Sequence, residues 1–471
     1  MRVSPDLMNH PPLVRWRPPL ARRLAPCPLM PSINPADLFR DDRVHRAVYV
    51  DPEVFALEQD RVFRTAWLYA GHESQVPSAG DYAKVMLGPD EVLLVRESNG
   101  SLAMLHNRCP HRGSCLVGEP RGHLARFRCP YHAWTFGLDG HLIGVPMSDG
   151  YSGELDLRDP ALQLTRVARV ESYRGFIFAS HAASGPSLQD FLGSLASALD
   201  NMVDRAPAGT LTQAGGTLRM AYRGNWKLFM ENATDLVHPS VVHESSVAAA
   251  RTHREALGAD PQTAQTLQML LSNGLGMPQW AEVPLHADPH GHVYMGGFYK
   301  SGVIAPARTD PVFERYRAAL LERHGETETA RILGVDRFNN LIWPNLSVNA
   351  RFGVLRQVQP VSVNHTVISS TCFRFDGAPD EMFDLTLQFL NTASSASSMV
   401  ASDDLEIFER CQRGLEASVD PWIDIRRGRA GDSRAADGSV AAPGTSELPI
   451  RNQLQAWLSH MQAGPRGTTA R

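Results

Sequence analysis

The sequence has little cysteine, almost no lysine and no long apolar run, and each of these scarcities excludes a class of protein. Six cysteines in 471 residues, unevenly spaced, are too few for the disulfide framework of a small secreted domain. No segment approaches the roughly 18 to 20 consecutive apolar residues of a membrane-spanning helix. The net charge of −4 provides no general attraction to nucleic acid or to an anionic membrane. We therefore expect a folded, soluble, cytoplasmic protein with no nucleic-acid or membrane partner.

The basic residues are 43 arginines and only three lysines. This bias is typical of a GC-rich coding sequence, so no partner is inferred from it. Residues 1–31 contain eight prolines and five arginines against a single acid, Asp6. Such a composition cannot bury enough apolar surface to fold. We expect residues 1–40 to be a disordered extension; the alternatives are a transit peptide and a start codon placed too early, with Met30 as the true start.

Hydrophobic patterns divide the next part of the chain in two. Residues 41–75 are expected to form an N-terminal helical segment that packs on the domain formed by residues 186–471, with a helix from Val44 to Trp67 that has Asp51 and Pro52 at its start as cap and first-turn residue. Residues 76–185 contain short apolar runs separated by turn sequences such as Leu138-Asp139-Gly140. This alternation is typical of a small all-β domain.

Residues 186–471 combine helical and strand-like patterns. A strand-rich block lies between about 294 and 376, and the predicted helices cover 187–203, 225–243, 311–324 and 402–416. The Gly, Ala and Ser content of 428–448 predicts a mobile loop, which precedes an amphipathic segment from Pro449 to Met461. The fold class predicted for the chain is α+β.

Two short motifs, each with one thiol and one imidazole, form the first candidate metal site. They are Cys109-Pro-His111 and Cys129-Pro-Tyr-His132, separated by 17 residues. Two thiolates and two imidazoles can hold a tetrahedral zinc ion. They can equally hold a two-iron two-sulfur cluster, with the cysteines on one iron and the histidines on the other. Cys115 lies outside this spacing and is expected to be a small buried residue.

A second candidate site lies in the sequence Asp235-x2-His238-x4-His243. On a helix, Glu231, Asn232, Asp235 and His238 would share one face, which is also what the solvated side of an amphipathic helix looks like. Two histidines and one carboxylate make the facial triad of non-haem iron(II) oxygenases. However, five residues rotate a regular helix by about 140°. Because Pro239 disfavours helical geometry at the residue before it, we predict a break or π-bulge between the two histidines.

The third ligand has to come from another part of the chain, and Ser402-Asp403-Asp404 is the best source. Acids in a first helical turn are also ordinary helix-capping chemistry. Asp404 begins an apolar stripe with Phe408 and Cys411 and is therefore preferred over Asp403. His286, His290 and His292 lie in a probable loop and are weaker candidates.

These residues together resemble the α subunits of Rieske non-haem iron aromatic-ring-hydroxylating oxygenases. The resemblance covers residues from about 40 to 461. It depends on three motifs in the order of the family: the Cys109–His132 spacing, Asn-Trp-Lys leading to Asp235, His238 and His243, and Asp403-Asp404. It implies an all-β Rieske domain, here 76–185, followed by a helix-grip catalytic domain, here 186–471, in which an antiparallel sheet wraps around a long helix.

The resemblance also implies roles for individual residues. Cys109, His111, Cys129 and His132 would bind a Rieske 2Fe-2S cluster, and His238, His243 and Asp404 would bind a mononuclear Fe(II). Asp235 would connect His238 with a cluster histidine, His132, of the neighbouring subunit in a homotrimer or an α3β3 assembly. No counterpart of residues 1–40 is found in the family, and substrate-binding residues are unknown.

The implied function is that of a terminal oxygenase component. A reductase, with or without a ferredoxin, would supply electrons from NADH, and oxygen would be inserted into an aromatic substrate, an aromatic acid among the candidates. Ring dihydroxylation is the leading reaction, and monooxygenation or oxidative O- or N-demethylation is the alternative. A zinc-stabilised, non-enzymatic binding protein is a remote alternative. A respiratory Rieske protein would lack the second iron site.

Overall fold

The computed structural model describes residues 33–254, 267, 269–296, 310–335 and 337–463. Most of the predicted N-terminal extension, residues 1–32, lies outside these ranges, as does Cys27. Regular structure begins before residue 41, with a 3-10 turn at Pro35–Asp37 and a first strand at Phe39–Arg40.

The strands fall into two groups along the chain. Those before residue 185 are β1 (Phe39–Arg40), β2 (Arg43–His45), β3 (Leu68–His72), β4 (Asp81–Leu87), β5 (Asp90–Arg96), β6 (Leu102–His106), β7 (Arg121–His123), β8 (Phe127–Arg128), β9 (Thr135–Phe136), β10 (Leu142–Gly144), β11 (Arg169–Tyr173) and β12 (Phe176–Ser180). Those after it are β13 (Leu211–Tyr222), β14 (Pro284–Ala287), β15 (Val293–Gly296), β16 (Arg337–Ile342), β17 (Leu346–Asn349), β18 (Val354–Ser362), β19 (His365–Phe375), β20 (Trp422–Asp424), β21 (Ser433–Arg434) and β22 (Val440–Pro443).

Most of the helices lie after residue 185, and the full set follows in chain order. They are α1 (Ala47–Val50), α2 (Pro52–Glu58), α3 (Leu188–Leu192), α4 (Ala196–Asp204), α5 (Trp226–Asn232), α6 (Pro239–Val242), α7 (Glu244–Thr252), α8 (Met277–Ala281), α9 (Pro311–Leu333), α10 (Asp380–Ala393), α11 (Ala401–Leu415) and α12 (Leu448–Gln462). A π-helical turn, Gln59–Phe63, continues α2. Within the described residues, none of the helices has the length and apolar character needed to cross a membrane.

The predicted helix from Val44 to Trp67 was wrong in its extent: Val44 lies in β2, and the helical residues that follow are divided at Asp51, the expected cap. The Asp51 carboxylate accepts hydrogen bonds from the backbone N–H groups of Glu53 at 2.7 Å and Val54 at 3.3 Å. Pro52 occupies the first position of α2, where its missing N–H leaves no bond unmade. The cap therefore starts α2, and the shorter α1 precedes it.

The predicted all-β region contains two antiparallel sheets that carry the first candidate metal site. The four-stranded sheet has the order β6-β5-β4-β7, and the three-stranded sheet has the order β10-β9-β8. Their shared core contains Leu93, Val95, Phe127 and Phe136, together with the Cys109 and Cys129 side chains. The two cysteines are thus held between packed strands, which limits the movement of the loops that carry them.

A nine-stranded antiparallel sheet dominates the second half. Its order is β13-β19-β18-β17-β16-β15-β14-β22-β21, and every neighbouring pair in it is antiparallel. Helix α5 packs on β18, and α12 packs on β14 and α5. The α+β class and the helix-grip arrangement of sheet and helices are confirmed.

Two predictions about this half were wrong in their extent. Residues 428–448, expected to be a mobile loop, contain β21 and β22, and β22 pairs with β14 along the edge of the large sheet. The predicted helix 225–243 stops at Asn232, and Ala233–Val237 are not helical. By contrast, the predicted helix 311–324 matches the first part of α9. Gly325, with a φ of 75°, interrupts the helix there, and the second part continues to Leu333.

Candidate metal centres

The two Cys-Pro motifs fold into matching loops. The backbone N–H of Gly113 donates to the Cys109 carbonyl at 2.9 Å, and that of Ala133 donates to the Cys129 carbonyl at 3.0 Å. Both closing residues, Gly113 and Ala133, have positive φ values, 74° and 56°. Each cysteine N–H in turn donates, at 2.8 Å, to a carbonyl five residues ahead, Ser114 for Cys109 and Trp134 for Cys129. The loops therefore present their thiols and imidazoles in similar ways.

The side chains of these loops suit a cluster with mixed ligands. The Cys109 and Cys129 thiols are buried and form no disulfide, and burial raises the pKa of Cys109. The rings of His111 and His132 lie with their centroids 4.7 Å apart. Nδ1 of His132 is buried with no hydrogen-bond partner in the described part of the chain. An unpaired buried nitrogen costs free energy unless it meets a ligand, so this donor set fits a metal cluster.

The second candidate site brings His238, His243 and Asp404 together. Oδ1 of Asp404 lies 3.6 Å from Nε2 of His238 and 3.5 Å from Nε2 of His243. The rings of the two histidines have their centroids 5.3 Å apart and are nearly perpendicular. The two imidazole nitrogens and the carboxylate oxygen all lie within 4.8 Å of one another. This arrangement fits a mononuclear metal ion with coordination positions left open.

The backbone achieves this convergence differently from the prediction. His238 has helical φ and ψ values of −60° and −34° despite the proline that follows it. The break lies before His238, over Ala233–Val237, and a second change of direction occurs at His243, whose φ and ψ are −99° and 22°. The short helix α6 between them is a single turn that places both histidines toward Asp404.

Each histidine of the second candidate site has a second carboxylate behind it. Nδ1 of His238 lies 3.4 Å from Oδ2 of Asp235, and Nδ1 of His243 lies 3.7 Å from Oδ2 of Asp403. Carboxylates in this position orient a metal-binding imidazole and raise its basicity. The neighbouring acids of α11 therefore face His243 from opposite sides, Asp404 from the pocket and Asp403 from behind.

Protonation states in the site favour metal binding. Burial, followed by the charge of His238, lowers the pKa of His243 to about 4, so this imidazole is neutral and able to bind a metal at pH 7. Burial raises the pKa of Asp404, while the charge of His238 and the Asn232 amide act in the opposite direction. For Asp235, burial is outweighed by its interactions with His238, and the pKa is lowered.

The residues expected to share a helical face with Asp235 point in two directions. The Asn232 amide donates to Oδ1 of Asp404 at 3.1 Å and so belongs to the iron site. Oε1 of Glu231 instead accepts from the Tyr49 hydroxyl at 2.7 Å. Because α5 ends at Asn232, the face predicted for a continuous helix does not exist. Asp235 also contacts Arg427, at 3.4 Å from its Oδ1.

The second candidate site forms part of the wall of a pocket of about 680 Å³, a volume that includes the solvent at its mouth. Half of the lining residues are apolar, among them Leu236, Met269, Trp280, Met295 and Phe389. Four polar side chains that sequence reasoning missed also contribute to it, Asn273, Asn339, Arg356 and Ser394. With 43 arginines in the chain, no local pattern distinguished Arg356.

The other candidate histidines and cysteine have structural explanations. His292 is buried, and its ring nitrogens lie 2.7 Å from the Phe191 carbonyl and 3.0 Å from the Trp343 backbone nitrogen. His286 stacks on Tyr294. Cys115, expected to be buried, is exposed. None of these three side chains adjoins the pocket described above.

One more cluster was not predicted: Asp90, His106 and His181, whose ligand atoms lie within 4.8 Å of one another. The charge of the Asp90 carboxylate is already neutralised, because the Arg64 guanidinium lies 2.8 Å from its Oδ2. We therefore attribute a structural role to this cluster.

Two family models match the chain. Residues 66–168 match the Rieske [2Fe-2S] domain, and residues 210–463 match the catalytic domain of the ring hydroxylating alpha subunit. The chain is 30% identical over 389 residues to the anthranilate 1,2-dioxygenase large subunit of Acinetobacter baylyi, covering 82% of this chain and 80% of that protein. It is 32% identical over 376 residues to the toluate 1,2-dioxygenase subunit alpha of Pseudomonas putida, covering 79% of each.

A solved structure is also similar over most of the chain. It is the F352V mutant of naphthalene 1,2-dioxygenase bound to phenanthrene, with a TM-score of 0.74 and 26% sequence identity. The match covers 89% of this chain and 92% of that one.

Proposed function

The chain belongs to the family of Rieske ring-hydroxylating oxygenase alpha subunits, and on that premise we propose that it dihydroxylates the ring of an aromatic acid. Members of the family carry a Rieske cluster and a mononuclear iron and receive electrons from NADH through a reductase. When bound, these groups supply electron transfer and oxygen activation. The observation that carries the proposal is the approach of Asp404 to Nε2 of both His238 and His243 at the wall of a pocket whose other lining residues include Trp280, Phe389 and two methionines.

We assign the metal ligands by the donor sets described above. Cys109, His111, Cys129 and His132 are the proposed cluster ligands, and His238, His243 and Asp404 the proposed iron ligands. Asp235 and Asp403 are proposed to fix the orientation of the two iron-site imidazoles from behind. The Asn232 amide, which donates to Asp404, restrains the carboxylate so that its oxygen stays directed toward both histidines.

We further propose that Asp235 connects the two centres between subunits. Its carboxylate is partly exposed, with 22% of the side chain accessible, and lies against His238. The buried, unpaired Nδ1 of His132 is the nitrogen assigned to the cluster, so the proposed partner of Asp235 across a trimer interface is the other ring nitrogen of His132, Nε2. A carboxylate between two imidazoles fixes their tautomers and gives a short route for charge.

Aromatic acids are the proposed substrate class for two reasons. The relatives cited above from Acinetobacter baylyi and Pseudomonas putida are named for anthranilate and toluate, both aromatic acids. The pocket, besides its apolar wall, contains a guanidinium, that of Arg356. The proposed partners are a reductase, with or without a ferredoxin, the proposed assembly is a homotrimer or α3β3, and the proposed location is the cytoplasm, where NADH is available.

Product analysis tests the reaction. The metal-loaded protein is combined with an NADH-dependent reductase and a ferredoxin, and aromatic acids and hydrocarbons are supplied under ¹⁸O₂. Two labelled oxygen atoms in one product molecule support dihydroxylation. One labelled atom indicates monooxygenation, and release of formaldehyde indicates demethylation; either result overturns the proposed reaction while leaving the family unchanged.

Metal analysis tests the proposed ligands independently of turnover. Iron and acid-labile sulfide are measured together with the electron paramagnetic resonance spectrum of the reduced protein. We expect three irons and two sulfides per chain, as one cluster and one mononuclear site require. Zinc in place of iron would refute the oxygenase assignment of these sites.

A further inference from the structure

We infer that Arg356 is the specificity-determining residue of the pocket and binds the carboxylate of the substrate. This inference rests on the proposed function, because it assigns a substrate group to the pocket beside the proposed iron site. It also goes further, since family membership does not specify what the pocket recognises. Four observations support it: the position of the guanidinium, the hydrogen bonds that hold it, its charge balance and the chemistry of the surrounding wall.

Arg356 lies on β18 in the pocket wall, which it shares with His238, His243 and Asp404. Among the described residues that line this pocket, it is the only lysine or arginine. A substrate held by its guanidinium therefore lies in the same cavity as the proposed iron ligands. This proximity distinguishes Arg356 from the arginines on the surface.

Hydrogen bonds hold the guanidinium in place through one of its nitrogens. Nη2 donates to Oδ1 of Asn339 at 2.7 Å and to the Ser347 hydroxyl at 3.3 Å. The Asn339 amide is itself fixed, because it donates to the Ala233 carbonyl at 2.9 Å. The Phe229 ring lies 5.5 Å from the guanidinium carbon. These contacts orient the group and use only part of its five N–H donors.

The charge balance of the pocket favours an anion. Burial lowers the pKa of Arg356 to about 10, and the charge of Asp404 opposes this effect, so the group is a cation at neutral pH. Asp404 is also a proposed iron ligand, and its negative charge is then shared with the metal. A partly buried cation in this situation gains stability from a second anion. A carboxylate is the anion whose two oxygens match the guanidinium fork.

The rest of the wall fits an aromatic ring attached to that carboxylate. Met295, Phe389 and Trp280 provide apolar contact surface, and thioether sulfur and aromatic rings both pack favourably against an aromatic substrate. A neutral hydrocarbon would also fit this surface, but it would leave the guanidinium without an anion. The pocket therefore selects for aromatic carboxylates over neutral aromatics of the same shape.

Calorimetry tests the inference without any requirement for turnover. Benzoate, 2-aminobenzoate and 4-methylbenzoate are titrated into the metal-loaded protein, and nitrobenzene and benzamide serve as uncharged isosteres. We expect the wild type to bind at least one of the acids about 10-fold or more tighter than either isostere. Equal affinity for acids and isosteres, or no measurable binding of any acid, overturns the inference.

Substitutions then test the residue. Arg356→Met should weaken binding of the acid about 100-fold, equivalent to about 2.7 kcal/mol, and change binding of benzamide by less than about 3-fold, because only the acid pairs with the guanidinium. Arg356→Lys should recover part of the affinity, since it keeps the charge and loses the fork. The control is Arg374→Gln, on the neighbouring strand β19, where the guanidinium bonds the exposed Asp380.

Folding and function are separated by two further readouts. The visible spectrum and iron content of each variant establish that it is folded and loaded, and Arg356→Lys provides a variant that keeps the charge. Equal losses for acid and benzamide in a loaded Arg356→Met protein contradict the inference. Tight, Arg356-dependent binding of an acid that is never oxidised would refute the proposed reaction and leave the carboxylate site in place.

Discussion

Two adjacent acids at the start of α11 illustrate how much the direction of a side chain decides. Asp404 faces both iron-site histidines, whereas Asp403 faces only the outer nitrogen of His243 and accepts from the Ser245 hydroxyl at 3.3 Å. Successive residues on a helix point about 100° apart. The same turn of α11 can thus supply both a metal ligand and the group that orients another ligand.

The first prediction separates these two roles. Asp404→Ala should abolish binding of the mononuclear iron and leave the cluster intact, because it removes one of three ligands. Asp403→Asn should retain the iron but weaken its binding about 10- to 100-fold, the usual effect of losing an outer carboxylate. Iron content after dialysis against graded chelator measures both. Stronger iron loss in Asp403→Asn than in Asp404→Ala would reverse the assignment.

The second prediction concerns Asp235. Asp235→Asn keeps the size of the side chain and removes the charge that faces His238. Both metal centres should remain loaded, and the rate of electron transfer between them, measured by rapid mixing of the reduced protein with oxygen and substrate, should fall about 100-fold or more, since the proposed route depends on this carboxylate. An unchanged rate removes Asp235 from the route.

The third prediction concerns pH and Glu231. Burial raises the pKa of this carboxyl to about 7, although the Tyr49 hydroxyl and Lys227 act in the opposite direction. The folded state therefore keeps a proton that the unfolded chain releases above its ordinary pKa of 4.5. Stability is lost as pH rises from about 4.5 to about 7, by up to about 3 kcal/mol.

Glu231→Gln should remove this part of the pH dependence. The variant and the wild type should unfold at similar temperatures at pH 5, where the wild-type carboxyl is protonated. At pH 8 the variant should be the more stable of the two. Thermal unfolding followed by circular dichroism between pH 5 and pH 8 measures the difference, and parallel curves would show that Glu231 does not titrate in this range.

Sequence reasoning identified the proposed metal ligands but not the residues around them. Cysteine and histidine at short fixed spacings are rare, so their pattern is informative without a structure. Arg356 and Asn339 lie on different strands and meet only because β16, β17 and β18 are neighbours in the sheet. Contacts of this kind depend on strand order, which the local sequence does not contain.

At the scale of elements, the predicted helix 225–243 begins within one residue of its expected start but ends at Asn232, well before its expected end. Asn225 caps α5 by accepting from the Lys227 N–H at 3.1 Å, and such caps have a recognisable composition. The end of α5 at Asn232 has no glycine or proline to mark it. Likewise, β22 was missed because its Ala and Pro residues have little preference for strands, and pairing with β14 is what orders it.

The fourth prediction tests a buried ion pair that joins three elements. Glu58, fully buried on α2, accepts from Lys227 Nζ at 2.6 Å and from the Trp226 and Trp457 indoles at 2.9 Å and 2.7 Å. Glu58→Ala leaves the Lys227 ammonium buried and unpaired. The free energy of unfolding should fall by about 3–5 kcal/mol, measured by denaturant titration.

The control for this experiment lies on the same helix. Glu53 is exposed in the first turn of α2. Changing it to alanine should lower the free energy of unfolding by at most about 1 kcal/mol, the usual contribution of an acid near a helix N-terminus. The double variant Glu58→Gln, Lys227→Met should recover part of the loss, because it removes both charges. Equal losses for Glu53→Ala and Glu58→Ala would contradict the role of the ion pair.

At the scale of the whole molecule, the fifth prediction tests whether the two centres act between subunits. Cys129→Ser chains lack a cluster ligand, and Asp404→Ala chains lack an iron ligand, so each homo-oligomer should be inactive. Co-expression with two different affinity tags yields mixed oligomers. These should regain activity, because a cluster in one chain then adjoins an iron site in the next. Mixed oligomers that stay inactive would place the electron route within one chain.

The positions of the proposed ligands along the chain also have a consequence for biosynthesis. The cluster ligands all lie between Cys109 and His132, whereas the iron ligands are divided between the region of α6 and helix α11. Because proteins fold from the N-terminus as the ribosome extends them, the cluster pocket is complete while the nascent chain still lacks α11. All proposed cluster ligands are therefore available early in synthesis, whereas the set of proposed iron ligands is complete only when synthesis is almost finished.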